Sequence, residues 1–318
     1  MNMAWSKTEK KEYMKKKAAT NKVAWYENLK AGMESNNVPW RKQWKGGATM
    51  PMNVVSKKHY KGGNIVSLWF WGMGNGFTDL RFGTRNQLKK LGMSIEGLKN
   101  GEGCLIKFFK QSTYITKDKK TEEDVTRTGY ITNWWEVFCV EQCKDYEAPK
   151  TSPETMIVTS QSDMMKHFNG YIETQGIDLK RQGSTAFYRI SGDLIQLPKT
   201  EDFDTSLAEV ATSMHEAIHS TGHPKRCERN LKNKFGSPEY AFEELVAELG
   251  SLILTLSLGG EFNPYELQEE HANSQAYLKH WLKACDEQNN ALDKAFSQAQ
   301  AAADFVLANC SILEEVIE

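Results

Sequence analysis

The chain has 318 residues, 40% of them apolar and 25% charged, with a net charge of −1, a composition that excludes wholesale disorder and suits two domains or one large one with additions. The longest strongly apolar run, Ser251 to Leu258, is too short to cross a bilayer, and the lysine-rich start contains no signal-peptide core. Six scattered cysteines complete neither a zinc knuckle nor a disulfide framework, so the expectation is a reduced, cytoplasmic protein with no membrane partner.

The near-zero net charge conceals a division. Residues 1–150 carry 27 Lys and Arg against 15 Asp and Glu, an excess of +12, whereas residues 151–318 carry 13 against 26, a net −13. Eight of the nine tryptophans lie in the basic part. This predicts two units: residues 1–145, opening on a frayed basic arm over 1–20; a linker over 146–157 with Pro149 and Pro153; and residues 158–318. The basic unit points toward a polyanion.

In chain order, Val23, Tyr26 and Leu29 give a short helical pattern between Lys22 and Met33. The segment from Val38 to Gly47 is irregular, because Pro39 and the paired glycines forbid a regular element. It carries Trp40, Arg41, Lys42 and Trp44. After the apolar segment Ile65–Trp71, Gly72, Gly74 and Gly76 read as a turn. Leu105–Phe109 and Tyr130–Val140 read as strands, with the acidic Glu122, Glu123 and Asp124 in the loop between them. Cations neutralise phosphates and exposed rings stack on bases at ~1–3 kcal/mol each, so the pattern fits single-stranded nucleic acid. Most tryptophans belong to the core. Trp40 and Trp44, with Arg41 and Lys42, are the expected contacts, and Tyr60, Lys61, Asn64 and Arg85 are further candidates.

In the acidic part, Thr185–Ile190 and Asp193–Pro198 read as a hairpin whose edge can pair with an extended peptide. A helix follows, opened by a capping box of Ser206 and Glu209, with Leu207, Val210, Met214, Ala217 and Ile218 as its apolar stripe; Gly222 and Pro224 end it. His215 and His219 stand one turn apart on it, the spacing at which two imidazoles share a zinc ion. Glu216 between them is placed as a general base. A second helix, opened by Ser237 and Pro238, carries Glu243, Glu244 and Glu248 in an apolar setting, where unpaired carboxylates are costly and a cation explains them. Glu244 is the expected third ligand and Glu248 the acceptor of a histidine N–H; the reverse assignment and Glu243 stay open as alternatives. The expected ion is Zn2+, although these donors also accept Mn2+ or Co2+. His223 lies about 12 Å along the helix from His215 and is expected to cap it; His271 and His280 are expected in packing or on the surface. Tyr188 and Tyr240 are candidate oxyanion partners.

With these residues in place, the chain resembles the ArdC-type antirestriction proteins, whose two-domain region also opens TraC-type conjugative primases. The likeness lies in Pro39-Trp40 with Trp44, Tyr60-Lys-Gly62-x-Asn64, Thr84-x-x-Gln87 and Gly101-Glu-Gly103. It continues through Asp193-x-Ile195-x-x-Pro198, His215-Glu-x-x-His219-x-Thr221-Gly-His223, Arg226-x-x-Arg229 and Tyr240-Ala-x-Glu243-Glu-Leu-Val-Ala-Glu248-Leu-Gly250. Gln43 and Ser220 depart from the pattern, each placed by the sequence beside a proposed site. The resemblance implies an α+β fold, with a mixed single-stranded-DNA-binding domain and then a mainly helical zincin-like metallopeptidase domain. It also implies a role on plasmids or phages in protecting transferred DNA from restriction, with a peptide or protein as substrate. The competing expectation is a non-enzymatic coat for single strands whose metal is structural or vestigial.

Overall fold

A computed structural model describes residues 6–34, 50–117, 122–147, 160–234, 236–259 and 291–310. The expected contacts Trp40, Arg41, Lys42 and Trp44, most of the linker, and His271 and His280 lie outside the described residues. The chain divides into two units: Met1–Asn36 with Pro51–His59 and Val66–Glu147, and Asn37–Met50 with Tyr60–Ile65 and Ala148–Glu318. The fold is α+β, mixed helix and sheet in the first unit and mainly helical in the second. No helix among the described residues is long and apolar enough to cross a membrane.

In the first unit, α1 (Lys7–Glu34) begins inside the lysine-rich arm, which is helical rather than frayed. Trp25 and Leu29, four residues apart, form its buried stripe, and Trp25 meets Trp134 edge-on with ring centroids 5.8 Å apart. Helix α2 (Gly63–Gly74) takes up the Ile65–Trp71 segment, so the expected glycine turn starts too early. Gly72 is inside the helix, where any Cβ would collide with the Leu80 side chain; only Gly76, at φ +78°, turns the chain.

The sheet runs β1 (Met52–Asn53), β2 (Arg81–Gly83), β4 (Asp124–Cys139), β3 (Cys104–Lys117). Strands β1 and β2 are parallel and the other pairs antiparallel. The β3–β4 ladder is unbroken from Cys104↔Val137 to Lys117↔Asp124, so it extends well beyond the strands expected from sequence. Two motifs of the family resemblance are structural. Thr84 and Gln87 form the capping box of α3 (Arg85–Lys90). The N–H groups of Gly101 and Gly103 both donate to Glu136 Oε1, at 2.6 and 3.0 Å.

In the second unit, α4 (Gln161–Gln175) starts at the N-cap Ser160 and stops at Gly176 in the left-handed conformation. A three-stranded sheet follows, ordered β5 (Asp178–Arg181), β7 (Leu194–Leu197), β6 (Phe187–Arg189). The expected hairpin is β6–β7, turned at Gly192 and Asp193, while β5 adds a parallel partner that the sequence did not reveal. Helices α5 (Ser206–Ser220), α6 (Pro238–Ser257) and α7 (Ala291–Asn309) pack in series, α6 against both neighbours. Gly250 of α6 sits against Ile218 of α5 so closely that a Cβ would lie 2.8 Å from Ile218 Cγ2.

Candidate metal centre

Helix α5 is capped by Thr205, whose hydroxyl accepts from the Ala208 N–H at 3.0 Å, and not by Ser206. Glu209 therefore has no part in a capping box; it pairs with Arg181 at 2.7 Å and accepts from Thr200. Val210, Met214, Ala217 and Ile218 anchor the helix in the core. Its other face turns His215, Glu216 and His219 into a cleft of about 1680 Å³, bounded by the β6 strand and by Tyr240, Glu243, Glu244 and Glu248 of α6.

The two imidazoles converge. His215 Nε2 and His219 Nε2 are 3.1 Å apart; the first lies 3.5 Å from Glu244 Oε2 and the second 3.5 Å from Glu244 Oε1. Four-coordinate zinc with bonds of about 2.0–2.1 Å sets neighbouring donors about 3.3–3.4 Å apart. The three separations, 3.1 Å between the nitrogens and 3.5 Å from each nitrogen to its own Glu244 oxygen, are close to that size, and these three residues form the one cluster among the described residues with a donor atom from each within 4.8 Å of the others. The other ring nitrogens point at carboxylates: His219 Nδ1 is 3.1 Å from Glu243 Oε1, and His215 Nδ1 is 3.6 Å from Glu248 Oε1. That arrangement places the ring protons on Nδ1 and leaves both Nε2 lone pairs aimed at one point. Burial disfavours charge on the imidazoles, but Glu244 and Glu248 outweigh it for His215, and Glu243 and Glu244 for His219. Both sit above the ordinary histidine value, His219 well above. Burial likewise opposes ionisation of Glu244, yet the two imidazoles hold it far below the usual carboxylate range.

Glu216 is buried, with Oε2 lacking a partner among the described residues and the backbone N–H of Tyr188 on its carboxylate. Burial pushes its pKa up, against the two nearby imidazoles. A carboxylate so placed is a stronger base than one in water.

Two buried arginines hold this constellation, and sequence reasoning assigned them no role. Arg229 donates to both oxygens of Glu243, at 3.0 and 2.7 Å, to the Ile218 carbonyl at 2.8 Å and to Thr221 Oγ1 at 2.6 Å. Arg226 donates to both oxygens of Asp193, at 2.9 and 2.7 Å, and to the Ser220 carbonyl at 2.9 Å. They add charged donors to carbonyls at the end of α5 and tie that end to α6 and to the β6–β7 turn. The readable signal was Glu243 itself, because a buried carboxylate beside a ligand needs its own cation.

Other expected residues fall elsewhere. His223 does not cap α5; its Nδ1 accepts the Lys225 N–H at 3.2 Å. Ser220 does not face the metal centre: it is fully buried, within 2.9 Å of the Tyr171 hydroxyl. The Tyr188 hydroxyl donates to Asp193 at 2.8 Å and is thereby held away from an oxyanion role; Tyr240 lines the cleft. Of the nucleic-acid candidates, Arg85 turns its guanidinium inward, donating to the Leu98 carbonyl at 2.6 Å and covering the Phe138 ring at 4.4 Å, so it is not offered to a phosphate. Tyr60, Lys61 and Asn64 group with the second unit, where exposed Lys61 pairs with Asp304 at 3.3 Å. Trp135, expected in the core, is half exposed.

Comparison with known proteins agrees with this architecture. Residues 6–138 match the N-terminal domain of anti-restriction factor ArdC, and residues 166–298 match the zincin-like metallopeptidase family. An uncharacterized Sinorhizobium fredii protein, y4eC, is 31% identical over 286 residues, 89% of each chain. The DNA primase TraC of Escherichia coli is 32% identical over 302 residues, of which this chain spans 89% of its own length but 26% of the primase's. The antirestriction ArdC protein from R388 plasmid has been crystallised metal-free (28% identity, TM-score 0.65, 90% of this chain and 96% of that one) and with Mn(II) bound (26% identity, TM-score 0.66, 92% and 98%). The chain thus belongs to the ArdC-type antirestriction family, with an ArdC N-terminal domain followed by a zincin-like metallopeptidase domain.

Proposed function

We propose that this chain is an antirestriction protein of a mobile element that binds single-stranded DNA through its basic unit, residues 1–145, and holds a catalytic zinc ion in residues 158–318. The observation that carries the metal reading is the convergence of His215 Nε2 and His219 Nε2, 3.1 Å apart, on the Glu244 carboxylate, whose Oε2 lies 3.5 Å from the first and whose Oε1 lies 3.5 Å from the second. His215, His219 and Glu244 would hold the ion, with Glu243 and Glu248 fixing the histidine tautomers. Zinc supplies Lewis acidity there and lowers the pKa of water. The Mn(II)-bound relative supports a divalent ion, and the two-nitrogen, one-oxygen donor set accepts zinc, manganese or cobalt.

Three protein donors leave a coordination position open, the catalytic rather than the structural pattern, which favours a peptidase over a passive coat. Glu216 takes the proton of the attacking water at its unpartnered Oε2. The edge strand β6 borders the same cleft and can pair with an extended peptide through its main chain. The DNA reading rests on the charge division and on the relationship to TraC and ArdC. Restriction protection of transferred DNA by the wild type and by Glu216→Gln tests the enzymatic half. The variant should keep its metal and its DNA affinity and lose protection; full protection would leave a metal-containing coat protein.

A further inference from the structure

The β3–β4 ribbon has two unlike faces. On one, Trp134 receives the edge of Trp25 from α1, and Lys107 Nζ lies 5.8 Å from the Trp134 ring centroid. Among the described residues the opposite face is covered at its base, where Cys104, Ile106 and Val137 are buried and Cys104 Sγ meets Ser67 of α2 at 3.5 Å. Beyond that base three aromatic residues stand open: Phe108 at 51% exposure, Tyr114 at 52% and Trp135 at 52%. All three have the same parity in the unbroken ladder, which pairs Ile106 with Trp135, Phe108 with Asn133 and Tyr114 with Arg127. Phe108 and Trp135 are therefore diagonal neighbours on one face, within reach of one another's rings. Tyr114 lies about 20 Å further along.

The positions sharing this parity, from 104 to 116 and from 125 to 137, hold not one acidic residue. The acidic residues of these strands, Asp124 and Glu136, have the opposite parity. An exposed aromatic face is costly in water and usually marks a binding surface. Rings at intervals with no anion among them, in a unit of net positive charge, suit a polyanion whose flat groups are accessible. A single strand meets that description, whereas a duplex hides its base faces in the stack.

We infer that the open face of the β3–β4 ribbon, with Phe108, Trp135 and Tyr114, is the base-stacking platform of the basic unit, and that its occupant is single-stranded nucleic acid; this rests on the DNA reading above. The platform needs none of the residues first expected from sequence.

The test is fluorescence anisotropy with labelled oligo(dT) and the same label on a duplex, using the full chain at several salt concentrations. Phe108→Leu and Trp135→Leu keep an apolar side chain while removing the ring, and thermal unfolding confirms that each variant folds. Each should weaken oligo(dT) binding about tenfold without changing the salt slope. Thr113→Ala, on the other face, should bind as wild type. Wild-type binding unaffected by the leucine variants would overturn the platform and leave the DNA reading standing. No binding by the wild type even at low salt would remove both. Equal losses on duplex and single strand would make the ribbon a groove reader, and a dimer dissociated by the substitutions with DNA affinity unchanged would assign the face to a second copy of the chain.

Discussion

Arg229→Met probes the scaffold behind the histidines. The Arg229 and Glu243 side chains are only 4% and 8% exposed, and both guanidinium contacts to the carboxylate are short, 2.7 and 3.0 Å. Methionine keeps much of the aliphatic stem but strands a buried carboxylate against His219 Nδ1, and removes one of the donors to the Ile218 carbonyl, which keeps those of Thr221. Breaking a buried pair from one side costs about 3–5 kcal/mol. For a unit of this size that corresponds to a fall of roughly 6–20 °C in Tm. Replacing both partners, Arg229→Met with Glu243→Leu, removes the stranded charge and should recover much of the loss, so the two substitutions are non-additive by about 1–3 kcal/mol. Urea and thermal unfolding of the metal-free wild type, both single variants and the double variant measure this cycle. A single-variant cost below about 1 kcal/mol, as for an exposed pair, or strict additivity, would refute the assigned role.

Gly250→Ala places a methyl 2.8 Å from Ile218 Cγ2 and must push α6 away from α5, costing about 1–3 kcal/mol and weakening metal uptake by separating Glu244 from the histidines; metal titration and unfolding curves at wild-type values would contradict the close-approach argument. Acid should destabilise the second unit. Burial raises the pKa of Glu243 but His219 and Arg229 more than offset it, and burial raises that of Asp193 but Arg226 and Tyr188 prevail, so both folded values lie below the ordinary 4.5 and 3.8. Their stabilisation is complete above those ordinary values and is lost as pH falls through the depressed ones. Asp193→Asn should flatten the fall in urea midpoint on going from neutral pH to about pH 3, and an unchanged slope would show that this pair carries no linkage. Cys104, fully buried, has its thiol pushed up to about 12 by burial, against the Ser67 hydrogen bond; it should resist alkylation in the native protein and react once the protein is unfolded, and rapid native modification would contradict its placement.

The convergence of His215, His219 and Glu244 into one cluster was largely legible because much of its spacing is local. A period of 3.6 residues puts His215 and His219 on one face of α5, and the Glu244–Glu248 spacing puts two carboxylates on one face of α6. What could not be read is whatever depends on chain reversal. Arg226 and Arg229 follow the helix and fold back onto its end, a contact set by the loop and not by periodicity. The N-cap was misplaced by one residue because Thr205 and Ser206 are both able to cap, and only Thr205 has the extended backbone that a cap requires. The Ile65–Trp71 run, apolar but for Ser67, carries no period that separates strand from helix, so Gly72 reads as a turn from sequence although it is a packing contact on Leu80. In α1 the burial is confined to a stripe around Trp25 and Leu29, too narrow to outweigh a lysine-rich composition in a sequence reading. Trp135 shows the opposite error: aromatic content predicts burial on average, and the ribbon leaves this ring open.

Metal content of the purified full chain, measured by mass spectrometry for the wild type and for His215→Ala with His219→Ala, tests the central claim most directly. The geometry predicts about one divalent ion per wild-type chain, as for a single three-donor site, and none retained by the double variant. Equal metal in both proteins, or none in a wild type purified with zinc or manganese present, would contradict it.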